Sequence, residues 1–195
     1  MSAFDDKRAI EAQAFEILRP YLVEQSNGRY VVTSKGPLAR ALQESVGDVI
    51  INTRKEEVCA FELKAERRFT GNLFLETWSN KNLNVRTSHA TRGGNPGWLY
   101  KIRADVCLYY FLDVDKLYSI DVFTLKRWAF GHGPKGMESQ GRIFDFPERL
   151  TEVEQENDTW GRCVPISILA KELRPGALKQ TTVKQLQLLN DEAAA

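Results

Sequence analysis

Gly47-Asp48-Val49-Ile50-Ile51-Asn52 and Phe61-Glu62-Leu63-Lys64-Ala65 decide how this chain is read. In the first stretch an acid opens an otherwise apolar strand. In the second, an acid and a lysine stand two apart inside another apolar strand. Strand side chains alternate between faces, so Glu62 and Lys64 project from one face while Cys59, Phe61 and Leu63 project from the other. One face is therefore charged where the other is core. Two carboxylates converging from adjacent strands form a hard oxygen site suited to Mg²⁺, and a neighbouring lysine can position a water and offset phosphate charge. The chemistry expected of such a set is phosphodiester hydrolysis.

This arrangement resembles the PD-(D/E)XK nuclease superfamily, whose pattern is an acid at the start of one strand and, in the next, a hydrophobic-flanked (D/E)-x-K. Asp48 and Glu62-Leu63-Lys64 stand in that order and setting. The chain departs from the pattern at Gly47, where proline commonly precedes the acid. The resemblance covers residues 5–112. It implies a restriction-endonuclease-like αβββαβ core, with a central mixed β-sheet flanked by helices, and a Mg²⁺-dependent endonuclease acting on DNA. Mn²⁺ is expected to substitute. Asp48 and Glu62 then hold the metal, Lys64 orients the attacking water, and relatives commonly work as homodimers. The competing reading is a non-catalytic nucleic-acid-binding protein that keeps the fold.

The superfamily also commonly brings a glutamate from the first helix to the metal. Apolar residues at Ile10, Ala14, Ile17, Leu18 and Tyr21 have the helical period, after Asp5 and Asp6 at the start. Glu11 lies on the apolar side of that helix, followed by Ala14, Phe15, Leu18 and Leu22, whereas Glu16 points the other way. Glu11 is the preferred candidate of the two. Glu76, in Leu73-Phe74-Leu75-Glu76-Thr77-Trp78, is the fourth acid. It either completes the metal sphere, holds Lys64, or forms an ion pair with Arg67 or Arg68. Asp105, heading a later buried strand, suits turn capping better than ligation.

The rest of the chain reads as alternating elements. Strands are expected at 29–33, 48–53, 58–64 and 73–78, the last three as a meander of adjacent strands, and a helix at 37–45. Further strands follow at 104–112 and 117–122, with helices at 96–103, 123–130, 166–173 and 183–189. Residues 79–97 and 131–141 read as long loops. Together these give one domain, 1–195, with a core over 5–112 and a C-terminal extension over 113–195.

With 195 residues, 43% hydrophobic and 27% charged, the chain can bury a substantial core. Its net charge of +1 hides an uneven distribution. Residues 54–103 carry 10 basic and 5 acidic side chains, against 6 and 7 before them and 11 and 14 after. From Thr77 to Ala104 there is no acid at all. Trp78, Ser79, Asn80, Lys81, Arg86 and Arg92 lie there, types that contact phosphates and stack on exposed bases. Near-neutrality therefore does not exclude DNA as partner.

No apolar run approaches the roughly 20 residues that span a bilayer, so no membrane association is expected. Three cysteines without a CxxC pair, and only two histidines, disfavour both a disulfide framework and structural zinc. With no apolar signal core in MSAFDDKRAI, a cytoplasmic location is expected. There is no GxGxxG and no GxxxxGK(S/T), which disfavours a nucleotide-driven motor.

Overall fold

The computed structural model describes residues 3–25, 30–32, 46–52, 57–80, 95–130, 152–155 and 159–185. The chain is mixed α/β and divides into two compact units. The first comprises 1–69, 103–122 and 176–195; the second comprises 70–102 and 123–175. Residues 113–195 thus supply parts of both.

The first unit is built on a six-stranded mixed sheet. Helix α1 (Ala3–Gln25) is followed by β1 (Tyr30–Val32), β2 (Val49–Asn52), β3 (Val58–Glu66), β6 (Val106–Phe111), β7 (Lys116–Asp121) and β10 (Leu178–Thr181), in that spatial order. β1, β2 and β3 are antiparallel neighbours, β6 runs parallel to β3, and β7 and β10 return antiparallel. The segment expected as an extension therefore contributes two of the six strands.

The helical period seen in the sequence is spent on this sheet. Ala14, Leu18 and Leu22 are buried against Val49, Ile51, Phe61, Leu63, Leu108, Tyr110 and Leu117. Each buried leucine of this kind contributes about 1.5–3 kcal/mol of apolar transfer. Pro20 lies inside α1 without ending it. On the other sheet face, Cys107, Tyr109, Phe111, Tyr118 and Ile120 are also almost completely buried. Phe111 is met edge-on by Phe69 and Tyr118, at centroid distances of 5.1 and 6.0 Å. The charged face of β3, with Glu62, Lys64 and Glu66, thus lies beside buried and mostly apolar or aromatic residues of β6 and β7.

The second unit holds an antiparallel sheet of four strands: β5 (Asn95–Pro96), β4 (Asn72–Asn80), β9 (Thr159–Pro165) and β8 (Glu152–Gln155). Its helices are α2 (Trp98–Lys101), α3 (Val122–Phe130, which starts at the unit boundary) and α4 (Ile166–Glu172). Gly161 lets the Phe74 ring lie across β9, since a Cβ there would come within 2.6 Å of both Phe74 and the Leu75 carbonyl. Lys126 donates to the carbonyls of Tyr100 and Ile102 at the end of α2, which complements the negative end of that short helix.

Two expectations need correction. The strand at Leu73–Trp78 exists as β4, but it does not continue a meander after β3. β3 hydrogen-bonds to β2 and β6, while β4 is in the second sheet between β5 and β9. Both arrangements offer an apolar strand the same burial, and only long-range pairing separates them. The helix expected over 96–103 shrinks to Trp98–Lys101, because Asn95–Pro96 pairs with β4. The helix expected over 37–45, the loop over 131–141 and residues 186–189 of the last helix lie outside the described residues.

The β6–β7 turn ties down the last part of the first unit. Asp115 has φ 49°, a conformation that costs a non-glycine residue energy. Its carboxylate accepts hydrogen bonds from the Tyr110 hydroxyl and the Val183 and Lys184 amides, at 2.9, 3.1 and 3.3 Å. Replacing Asp115 with Ala leaves those donors without this acceptor and should destabilise the protein by about 2 kcal/mol or more. Equilibrium urea unfolding measures this, and an unchanged midpoint contradicts it.

Candidate metal and catalytic site

β2 ends early beside β3, and the site is built at that break. The ladder between them runs from Asn52↔Val58 to Val49↔Phe61 and stops there. Beyond Phe61, β3 keeps β6 on one side, with Glu62 opposite Cys107 and Lys64 opposite Tyr109. On its other side Asp48 replaces the missing strand. The Asp48 amide donates to the Phe61 carbonyl at 2.8 Å, and the Asp48 carboxylate accepts from the Leu63 amide at 2.9 Å. This clasp fixes the first acid of the motif beside the second.

Gly47 makes the clasp possible. Its φ is +131°, far from the value near −65° that proline imposes. A Cβ at this position would lie 2.8 Å from the Phe61 carbonyl oxygen. Glycine at residue 47 is thus a requirement of this backbone.

Lys64 gathers the other groups. Its ammonium lies 2.9 Å from Glu62 and 3.6 Å from Glu11 of α1. Its side chain is only 20% exposed and that of Glu62 14%. Burial alone would lower the lysine pKa, but Glu62, Glu11 and Asp48 outweigh it and push it up, so the ammonium stays charged. Glu62 is pushed up by burial first, then by Asp48 and Glu11, with Lys64 pulling the other way. Three carboxylates thus share one buried cation.

Glu16, the other helix candidate, pairs at 3.0 Å with Arg19 on an exposed part of α1. Glu76 lies in the second unit, on β4. It accepts from the Ser79 hydroxyl at 2.6 Å and the Trp98 amide at 3.3 Å, so it fixes the start of α2. Neither Arg67 nor Arg68 is the partner that these bonds record. The same hydroxyl oxygen lies 3.3 Å from the Pro96 carbonyl, and Trp78 sits opposite both Pro96 and Trp160 at a bulge in β4. Asn80 closes that strand, while Lys81, Arg86 and Arg92 lie outside the described residues. Asp105, expected to cap a turn, instead clasps β3: its amide donates to the Ala60 carbonyl and its carboxylate accepts from the Ala60 amide.

The donor set fits a hard divalent cation in type and charge. Asp48, Glu62 and Glu11 offer carboxylate oxygens, and their negative charge exceeds that of the lysine they surround. Among the described residues no three His, Cys, Asp or Glu side chains are already drawn together at ligating separations. Lys64 bridges Glu62 and Glu11 instead. Sequence reasoning missed Tyr109, whose hydroxyl donates to Glu66 two residues beyond Lys64. Nothing local in the sequence marks it, because the parallel pairing of β3 with β6 brings it there.

Comparison with protein-family models, with characterised proteins and with solved structures returns no match for this chain.

Two outcomes follow from the geometry. Gly47→Ala should cost about 2–4 kcal/mol in urea unfolding, because Asp48 cannot then reach Leu63 without strain; a loss below about 1 kcal/mol contradicts the clasp. Folded Glu62 holds its proton more tightly than the unfolded chain, so the folded state gains stability as pH falls through that raised value. The gain is complete below the ordinary 4.5. Unfolding midpoints of metal-free protein, followed as the pH is lowered toward 4.5, should contain this rising component, and Glu62→Gln should remove it.

Proposed function

We propose that this protein is a Mg²⁺-dependent deoxyribonuclease whose first unit is a restriction-endonuclease-like core. The observation that carries the reading is the Lys64 ammonium held between Glu62 and Glu11, beside an Asp48 clasped to Leu63 where β2 ends. A helix, three antiparallel strands and a parallel fourth support the core assignment.

In this reading Asp48 and Glu62 hold the metal, and Glu11 adds a carboxylate from α1. The bound ion supplies Lewis-acid polarisation of the phosphate and a lowered pKa for its water. Lys64 orients the attacking water and balances charge on the phosphate. Its raised pKa makes it a hydrogen-bond donor and an electrostatic partner, rather than the base that removes the proton. Glu76 is given the structural part already described. Trp78, Ser79 and Asn80, with Lys81, Arg86 and Arg92, are assigned to DNA contact. A homodimer that presents two such sites would cut both strands. The described residues include no helix long and apolar enough to cross a membrane, and the three cysteines are free thiols. A cytoplasmic location is part of the proposal.

Supercoiled plasmid, branched DNA and RNA incubated with Mg²⁺, Mn²⁺ or EDTA test the reading. Wild type should nick DNA with either metal and be silent in EDTA. Lys64→Ala should lose cleavage by about 10²-fold or more while keeping DNA binding and its fold by circular dichroism. Cleavage retained by Lys64→Ala overturns the assignment of the site. DNA binding equal in Mg²⁺ and EDTA, with no nicking at all, points to the non-catalytic binding protein.

A further inference from the structure

We infer that Lys64 is an internal competitor of the metal: its ammonium holds the place of a divalent cation between Glu62 and Glu11 and thereby lowers the affinity of the resting protein for one. The ammonium lies 2.9 Å from Glu62 and 3.6 Å from Glu11, so the lysine itself joins the strand carboxylate to the helix carboxylate. Asp48 adds a third acid, fixed by its bond to the Leu63 amide between Glu62 and Lys64. These are the same three acids that the proposed metal site uses. The lysine and Glu62 side chains are largely buried, so solvent ions screen their attraction little. A Mg²⁺ ion needs carboxylate oxygens at about 2.0–2.1 Å, closer than the ammonium holds either acid. Two cations drawing on the same oxygens repel each other strongly at such range. The metal therefore binds as the ammonium gives up Glu62 and Glu11, and its affinity is reduced by the ion pairs it displaces.

The inference rests on the proposed reading for the metal site, but not on cleavage of DNA. It separates three parts that the lysine could play. A lysine that only orients water leaves metal affinity as it is when its charge is removed. One that only supports the fold weakens metal binding when lost, because the ligands lose their places. A competitor does the opposite of both: its removal tightens metal binding, since the ion then compensates carboxylates that have no ammonium beside them.

The test compares wild type with Lys64→Met and Lys64→Gln, which delete the charge, and with Lys64→Arg, which keeps it. Mn²⁺ affinity of the full chain is read by titration calorimetry at about pH 8, where protons compete little for the acids. The metal-induced rise in melting temperature is followed beside it. The two neutral variants should bind Mn²⁺ about tenfold more tightly than wild type, and Lys64→Arg should stay within about threefold of it. Metal-free neutral variants should melt lower than wild type, and Mn²⁺ should raise their melting temperature by more. Neutral variants that bind Mn²⁺ no more tightly than wild type, or that lose their fold and do not regain it with Mn²⁺, overturn the inference; so does Lys64→Arg binding as tightly as they do. Plasmid nicking by wild type decides the nuclease reading separately. No nicking, with tightened Mn²⁺ binding in the neutral variants, removes that reading and leaves the competition in place; nicking with unchanged affinities does the reverse.

Discussion

The hinge of the first unit is the place where β2 stops pairing with β3. A strand that simply ended there would strand the amide of Leu63 and the carbonyl of Phe61 inside a covered sheet, at a cost of about 1–3 kcal/mol for each unpaired group. Asp48 satisfies both, the carbonyl through its amide and the amide through its carboxylate. On the opposite side of β3, Asp105 does the same for both backbone groups of Ala60. One strand is thus bracketed by two aspartates that substitute for backbone. Only the first of them stands where a helix carboxylate and a lysine also converge.

That convergence sets the electrostatics. Buried carboxylates are tolerated when something compensates them, and here one ammonium serves Asp48, Glu62 and Glu11 together. Burial is the largest influence on Glu62 and raises its pKa, with Lys64 pulling the other way. Under the proposed function, a bound divalent cation would add positive charge to this cluster of three acids and one lysine.

The sequence made much of this legible, because the deciding features are local. Alternation placed Glu62 and Lys64 on one face, and the helical period put Glu11 on the side of α1 that meets the sheet, with Glu16 on the outside. Those inferences need only neighbours along the chain. What escaped was set by long-range pairing. Leu73–Trp78 is as strand-like as the segment before it, yet its partner is β9, some 90 residues away, and not β3. Glu76 went with it. Tyr109 was invisible for the same reason: its part depends on lying across from Lys64 in a parallel ladder. The meaning of Gly47 emerged only from its backbone angle, since a glycine before an acid has many explanations until φ is known.

The first sheet is assembled from distant pieces of chain. Between β3 and β6 lies the first segment of the second unit, between β7 and β10 the other, and the last strand is drawn from residues 178–181. Until Leu178–Thr181 is made, β7 has an open edge of unpaired backbone beside its ladder with β6, the kind of surface that invites strands from other molecules. Pairings separated by so many residues are also slow to form, because loop closure must precede any gain from contact. The same distribution that spreads the sheet over the chain thus delays its completion until Leu178–Thr181 has been made, when that strand covers the edge and Asp115 secures the residues that follow it.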